Sequence, residues 1–576
     1  MSKTRQFFKK VRPHLPMMGF MGLTTYAATH LMLRHQDTIE GKDSFSQHTQ
    51  EQHKKNLFSG MHKPFMPNKS QKEMFDKYFP HFSHLIPNSL EELESKQERK
   101  TPVHIKPWSK IPFEALGAPE ITTLVVGGMP ALMSAVSIAK QDPNLVYIQD
   151  TKRIPISYGS AWHIEEDAES EAPTSFRPSQ FMAQQMKRAA FGYVSFNSIE
   201  KTGLYPWRTL DWIGWITHPM SWAVGIRVAL AFQAATTPAP KARLAMLQQL
   251  AKQCKANENF YVKLNEEMGG KLLLPGKGGL IIARNADEVA DLRTMEKNLE
   301  KEGRVLQFFT REEMQTRYGF VPQGLMFAEK THDRVMSPEA NKFLTQHITK
   351  LGAKVVDGTL TTIYKDDDHD NGMAEYTTRD GDTKYFYFKR VILSPGNQPI
   401  IGTNNKPLYE VVDATGASGL AFVETPIHYK MPRVMVCGGT NHVSQISDEP
   451  ISIVDEEGNL KHLHLSRLTS SACIRPNVSE KSAVKYDGTT GFGLVKSLQD
   501  TLGPQFKVTP IYVRGCGRQV SANGQTAWME PLPNVHVQYG AGGGGLTRAP
   551  DFAIELAEKA EKAEKAENTT SNMRLK

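Results

Sequence analysis

ITTLVVGGMPALMSAVSIAKQDPNLVYIQD, residues 121–150, is the stretch whose reading decides the fold. Leu124-Val125-Val126 is an apolar run of strand length, closed by Gly127-Gly128. Ala131, Leu132, Ala135, Val136 and Ile138-Ala139 then recur at helical spacing until Asp142-Pro143-Asn144 interrupts them. Leu145-Val146-Tyr147-Ile148 follows as a second strand and ends at Gln149-Asp150. Strand, glycine turn, helix and strand in this compass is the shape of a dinucleotide-binding βαβ unit. Glycine lets the backbone approach a diphosphate, and a helix N-terminus offers free N–H groups and a partial positive charge. Read without gaps against G-x-G-x-x-G/A, the key positions hold Val126, Gly128 and Ala131, so the first glycine is present only if Gly127 takes its role. The residue that would accept hydrogen bonds from ribose hydroxyls is Gln149 by gapless spacing, or Asp150 with a shift of one. By itself the motif does not separate a dinucleotide site from an ordinary βα turn.

A second glycine corner lies near the other end of the chain. The apolar strand Val535 to Tyr539 runs into Gly540-Ala541-Gly542-Gly543-Gly544-Gly545-Leu546, and a helix opens at Pro550. Bare backbone N–H groups before a helix again suit an anion or an electron-rich ring. Between the two corners the patterns predict helices over 223–235, 241–268, 285–303 and 492–502. Thr310 to Glu313 forms a capping box, and Ser337-Pro338-Glu339 opens a helix with Ser337 as N-cap. Strands are expected at 279–283, 304–309, 352–356, 358–364, 386–394, 434–439 and 508–513, the last one followed by Arg514-Gly515-Cys516-Gly517-Arg518. Asp366-Asp367-Asp368-His369-Asp370 sits between two strands, and adjacent Asp side chains diverge, so it reads as an exposed hairpin tip and not a metal cluster. His462 and His464 alternate on one strand face without a third ligand and read as structural, so no metal site is expected. The tryptophans 207, 212, 215 and 222 read as core.

The chain has 576 residues, enough for two large domains, with 39% hydrophobic and 23% charged residues, an ordinary globular balance. Five of the cations behind the net charge of +8 (Lys3, Arg5, Lys9, Lys10 and Arg12) fall in the first twelve residues. No other cationic cluster is interleaved with aromatics, which argues against nucleic acid as a partner. The four cysteines, Cys254, Cys437, Cys473 and Cys516, show no C-x-x-C spacing and read as separate packed thiols. Pro16 to Leu33 is apolar but diluted by threonines, glycines and His30. With its basic flank it suggests an N-terminal anchor or interfacial helix, against the alternative of a peripheral helix on the globular body. The localisation expected is membrane-associated through the N-terminus and otherwise cytoplasmic.

Several stretches together resemble the D-amino-acid oxidase superfamily of flavoproteins, and within it the D-amino-acid dehydrogenase small-subunit type. They are the 124–135 turn, GKGGLIIARNADEVADL (276–292), MSPEANKFLTQHITKLGAKVVDGTLTTI (336–363), KRVILSPGNQ (389–398), GRQVSANG (517–524) and YGAGGGGLT (539–547). In GRQVSANG, which is similar to the family's G-R-P-x-T-P-D-G, Gly517, Arg518 and Gly524 match while Gln519, Ser521, Ala522 and Asn523 depart. The resemblance implies a mixed α/β fold with a Rossmann-like FAD-binding domain and a discontinuous antiparallel-sheet substrate domain. The FAD-binding domain would be built from 116–165, 330–400 and 506–560, and the substrate domain, with a helical insert, from 166–329 and 401–505. Residues 1–35 would be the anchor or targeting segment, 36–115 a polar extension and 561–576 a disordered tail.

The resemblance further implies FAD held by Gly127, Gly128, Ala131 and Gln149 or Asp150, with the backbone at Leu360 meeting the adenine. Gly396, Gly540, Gly542, Gly543, Gly544, Gly545 and Leu546 would close on the flavin ring. It implies hydride transfer from the carbon bearing an amine, so the flavin does the difficult chemistry and no acid–base pair is demanded. Arg518 is the residue expected to contact a substrate carboxylate, because a guanidinium fork grips one through two hydrogen bonds. A structural, salt-bridged Arg518 is the alternative; His332 and Tyr158 are further pocket candidates. The expected partners are an amino-acid or amine substrate, a quinone or other electron acceptor, and a membrane surface. Oxygen as acceptor, a different substrate, or a flavin-poor scaffold that has lost activity are the competing readings, the last motivated by Val126, Gln149 and Gln519.

Overall fold

The computed structural model describes residues 66–86, 89, 102–142, 144–149, 163–164, 240–276, 278–284, 286–301, 305–396, 398–409, 411–437, 441–447, 449–454, 458–469, 473–474, 494–495, 498–521, 527–540 and 546–555. The segments predicted at 16–33, 223–235 and 561–576, the four tryptophans and Tyr158 lie outside these residues.

The strand Glu120–Gly127 stands at the centre of a nine-stranded sheet. Leu124 and Val125 point to opposite faces and both are fully buried, which is why the strand reads as an unbroken apolar run. Leu145–Gln149 lies parallel on one side, with Ile148 level with Val126. Thr383–Ser394 lies parallel on the other, with Ser394 level with Gly127. Beyond Leu145–Gln149 come Lys354–Tyr364, Val103–Lys106 and Ile400–Ile401, all parallel. Beyond Thr383–Ser394 come the parallel strand Val535–Tyr539 and the antiparallel edge Ala527–Leu532. Gly372–Thr378 pairs antiparallel with both Lys354–Tyr364 and Thr383–Ser394. The helix Met129–Ala139 covers one face, and nine of its eleven residues are buried, so it carries no polar stripe. The helix Ala340–Lys350 packs against it and against the strand Lys354–Tyr364.

The second sheet has ten strands. Its order is Cys473–Ile474, Val411–Pro426, Leu460–Thr469, Asn441–Gln445, Val434–Cys437, Gly279–Ala283, Met326–Lys330 and Gln307–Phe309. Ile451–Val454 joins beside Leu460–Thr469, and Lys507–Ser521 beside Val411–Pro426. The sheet is antiparallel except where Val434–Cys437 meets Gly279–Ala283 in parallel.

Four local expectations are corrected. Residues 352–356 and 358–364 are not two strands but one, Lys354–Tyr364, because its first half pairs with Leu145–Gln149 and its second with Gly372–Thr378. The helix that follows starts at Ala340 with Glu339 as its N-cap residue, so Ser337 caps the turn just before it instead, its hydroxyl accepting the Glu339 N–H at 3.3 Å and its carbonyl the Ala340 N–H. The strand expected at 508–513 does not stop at Val513 but runs on through Arg514 to Arg518 as part of Lys507–Ser521, which pairs along its length with Val411–Pro426. That strand therefore lies in the second sheet, and the boundary expected at 506 is wrong in that respect.

The stretch read as a polar extension over 36–115 also contributes to the body of the fold. Val103–Lys106 is a strand of the central sheet. The helix Lys69–Tyr78 opens on a reciprocal capping box, Asn68 Oδ1 accepting from the Gln71 N–H at 2.8 Å and Gln71 Oε1 from the Asn68 N–H at 2.9 Å. Phe75 and Phe79 then lie against Phe422 of the second sheet, with ring centroids 6.1 and 5.7 Å away. The hairpin tip 366–370 lies as expected between antiparallel strands, and its His369 ring stacks on Trp108 at 4.8 Å.

Candidate functional site

The parallel register brings several strand ends to one edge of the central sheet. Gly127 and Gly128 close Glu120–Gly127, Gln149 closes its neighbour, Pro395-Gly396 follows Thr383–Ser394, and Gly540 follows Val535–Tyr539. Adjacent strands are spaced about 4.8 Å apart, so the two glycine corners, separated by one strand, stand roughly 10 Å from each other. This carboxyl edge is where open α/β sheets bind ligands.

Gly127 makes the tight turn. Its φ is +131°, and a Cβ placed there would lie 2.1 Å from the Ser394 carbonyl oxygen. The turn is held from both sides. The Tyr147 hydroxyl donates to the Gly127 carbonyl at 2.9 Å, and the Gly128 N–H donates to the Ser394 carbonyl at 3.2 Å. Tyr147 is fully buried, which pushes its phenol well above the ordinary tyrosine range and keeps it a donor. Gly128 is the N-cap of Met129–Ala139, and a Cβ there would meet nothing within 4 Å. Pro130 occupies the first turn, where no N–H is missed, and that turn carries no acid to offset the positive helix end. Ala131 is fully buried in the same turn.

The other strand ends are anchored by side chains that sequence reading missed. Gly396 takes a φ of +58°. Two residues on, the Gln398 amide donates to the Leu360 carbonyl at 3.3 Å, and the Tyr409 hydroxyl donates to the Gln398 carbonyl at 3.3 Å. The Tyr409 ring also stacks on Tyr539, the residue before Gly540, at 4.4 Å. The Leu360 side chain is buried in the core. Gly540 takes a φ of +71°. Gly542, Gly543, Gly544 and Gly545 lie outside the described residues, as does Asp150. Leu546 is buried, and its carbonyl accepts the Tyr261 hydroxyl at 2.6 Å. Gln149 is half-buried, and Asp357 stands level with it on the neighbouring parallel strand.

The edge fits the coenzyme that the sequence resemblance implies. Above Gly128 there is open space at a helix N-terminus without acids. Gln538, one residue before Tyr539, has a buried amide oxygen with no hydrogen-bond partner among the described residues. Residues Gly127, Gly128 and Gly540 bring backbone to the edge where bulkier residues would fill the space or strain the turn.

Arg518 sits in Lys507–Ser521 opposite Ala414; its side chain lies outside the described residues. Only five residues lie between Ser521 and Ala527, a reach of at most about 20 Å, and Ala527 pairs with Tyr539. The chain itself thus holds the end of the Arg518 strand within about 20 Å of Ala527 at the carboxyl edge. His332 lies elsewhere, 3.9 Å from the Glu258 carboxylate, which also accepts from Arg334. His462 and His464 lie on Leu460–Thr469, and His464 Nε2 is 3.2 Å from the Thr425 hydroxyl. Among the described residues no helix is long and apolar enough to cross a membrane.

No curated protein matches the sequence. Solved structures similar to this chain include glycine oxidase from Geobacillus kaustophilus, at 13% identity over 77% of this chain and 95% of that one, with a TM-score of 0.46. L-proline dehydrogenase from P. horikoshii is 13% identical over 77% of this chain and 94% of that one, with a TM-score of 0.45. L-amino acid deaminase from Proteus myxofaciens, in complex with anthranilate, is 9% identical over 81% of this chain and 94% of that one, with a TM-score of 0.46. The DAO family model, described as FAD dependent oxidoreductase, matches residues 213–559, more than half of the sequence. With that match added to the glycine corners on one sheet edge, the chain belongs to the DAO family of FAD-dependent oxidoreductases and has its mixed α/β fold.

Proposed function

We propose that this protein oxidises the carbon–nitrogen bond of an amino acid or related amine and passes the electrons to a quinone or another carrier. The observation that supports this reading is the chain path that leads from the Arg518 strand in the second sheet to Ala527 at the carboxyl edge of the first. Bound FAD supplies the acceptor for the hydride that leaves the nitrogen-bearing carbon. The residues of this chain do the rest. Gly127, Gly128 and the N-terminus of Met129–Ala139 hold the diphosphate through backbone N–H groups and the helix dipole. Gly396 and Gly540 let the backbone come close to the ring. Arg518 orients the substrate by gripping its carboxylate with two parallel hydrogen bonds, fixing which hydrogen faces the flavin.

The test is anaerobic reduction of the purified holoprotein by a panel of amino acids and secondary amines, followed by reoxidation with a quinone analogue or with oxygen. Bleaching of the visible flavin band by at least one amine is expected. Arg518→Lys should then raise KM for substrates that carry a carboxylate more than for amines without one. A holoprotein bleached by dithionite but by no amine in the panel would rule the reading out.

A further inference from the structure

A dinucleotide with its diphosphate on Gly127 and Gly128 lays its adenosine ribose over the next strands of the sheet, where the sugar hydroxyls need an acceptor. Those strands, in order across the sheet, are Leu145–Gln149 and Lys354–Tyr364. By gapless spacing the place of the ribose acid, at the end of the first of them, is held by Gln149, an uncharged amide. The strand beyond it supplies a carboxylate. Gln149 and Asp357 are register partners on adjacent parallel strands, which lie about 4.8 Å apart.

The two residues share a face of the sheet. Tyr147 and Val355, each two residues earlier on its strand, pack in the same core as the helix Met129–Ala139, and alternation along a strand returns Gln149 and Asp357 to that side. Tyr147 is also the residue whose hydroxyl holds the Gly127 carbonyl. The glycine turn, the amide and the carboxylate therefore follow one another across three neighbouring strands. The strands part at the same level. Lys354–Tyr364 pairs with Leu145–Gln149 as far as Asp357, and from Gly358 its partner is Gly372–Thr378, while Val103–Lys106 keeps the opposite flank. Asp357 is half-buried, so a ligand at the edge can still reach it. An ionised carboxylate only accepts hydrogen bonds, and a hydroxyl donates to it more strongly than to an amide oxygen. We infer that Asp357, on Lys354–Tyr364 and not on Leu145–Gln149, accepts the hydrogen bond from the 2′-hydroxyl of the adenosine ribose of FAD. The inference rests on FAD being held at this edge and not on the identity of the amine.

The test compares FAD with its analogue built on 2′-deoxyadenosine, which lacks that one hydroxyl. Wild type, Asp357→Asn, Asp150→Asn and the double variant Gln149→Glu with Asp357→Asn should be stripped of flavin and titrated with each dinucleotide by flavin fluorescence, beside thermal melting. Wild type is expected to bind FAD about tenfold more tightly than the deoxy analogue, equivalent to about 1.4 kcal/mol. Asp357→Asn should lose this preference, binding FAD more weakly and the analogue as wild type does, with Tm unchanged. The double variant returns an acid to the adjacent strand and should regain part of the preference for FAD. An undiminished preference in Asp357→Asn would overturn the inference, as would equal weakening of both dinucleotides, which would mark Asp357 as structural. Loss of the preference in Asp150→Asn alone would assign the hydroxyl to Asp150 and overturn it as well. A wild-type protein that takes up no FAD would overturn the cofactor assignment and this inference with it.

Discussion

Replacing Gly127 and Gly128 by alanine, one at a time, should give opposite phenotypes although the two residues adjoin. At Gly127 the added Cβ would stand 2.1 Å from the Ser394 carbonyl oxygen and 2.7 Å from its carbon. Relief to the closest tolerated approach of 3.0 Å requires a shift of 0.9 Å, and it must come from backbone. Ser394 cannot retreat without opening the ladder that joins Thr383–Ser394 to Glu120–Gly127. Overpacking of this kind costs about 1–3 kcal/mol. A φ of +131° adds further strain for a residue with a Cβ, of order 1–3 kcal/mol. Together these amount to about 2–6 kcal/mol, enough to unfold a marginally stable domain. Gly128 has a φ of −83°, and its Cβ would enter open space, so alanine there should cost no more than about 1 kcal/mol of N-cap preference. The new methyl group would, however, occupy the place where a diphosphate approaches the helix, and FAD affinity should fall at least tenfold. Urea unfolding of the apoproteins and FAD titration separate the two effects. A stable Gly127→Ala protein, or a Gly128→Ala protein with wild-type affinity for FAD, would refute the reasoning.

Three further outcomes are expected. Tyr147→Phe removes the donor to the Gly127 carbonyl and should lower unfolding free energy by about 1–3 kcal/mol, with the Gly127 turn less protected in hydrogen exchange. Burial, with His462 and Arg433 nearby, pushes the His464 pKa down to about 4. Between that value and the ordinary 6.5 the unfolded chain binds the proton and the native one does not, so stability falls as pH drops through this window, by up to about 3 kcal/mol. His464→Gln should flatten the urea-measured slope without abolishing it, since burial holds His84 and His347 down as well. Phe75→Ala, at a site with 0% exposure against Phe79 and Phe422, should cost about 3–5 kcal/mol in urea unfolding. An unchanged midpoint would show that the 69–86 segment is not integral to the fold.

The central βαβ unit was legible because its strands are covered on both faces and its helix is buried nearly all round, so burial itself writes the apolar runs. The division of labour within Gly127-Gly128 was not, because it depends on Ser394, a residue far away in sequence. Val103–Lys106 is only four residues long and alternates, and its pairing with Lys354–Tyr364 leaves no local signal. Arg514–Ser521, with glycines at 515 and 517, has no local strand signal of its own and is a strand because Val411–Pro426 runs beside it. A tyrosine in an otherwise apolar strand such as LVYIQ was the one local hint of Tyr147, since a buried phenol must find an acceptor. Tyr261 carried no comparable hint, because it sits in a helix of mixed polarity and its acceptor lies 285 residues further along the chain.

Glu120–Gly127 and Leu145–Gln149 sit in the middle of the first sheet, yet both precede the span 213–559 that the family model recognises. Cutting the gene at that span would extract these two neighbours from the interior of the stack, and Val103–Lys106 with them. Thr383–Ser394 and Lys354–Tyr364 would then each present a long apolar flank of unpaired amides and carbonyls, the form of polypeptide that self-associates most readily. A recombinant 213–559 fragment is therefore expected in inclusion bodies, and co-production of a 66–164 piece that re-forms the missing strands is the remedy the topology suggests.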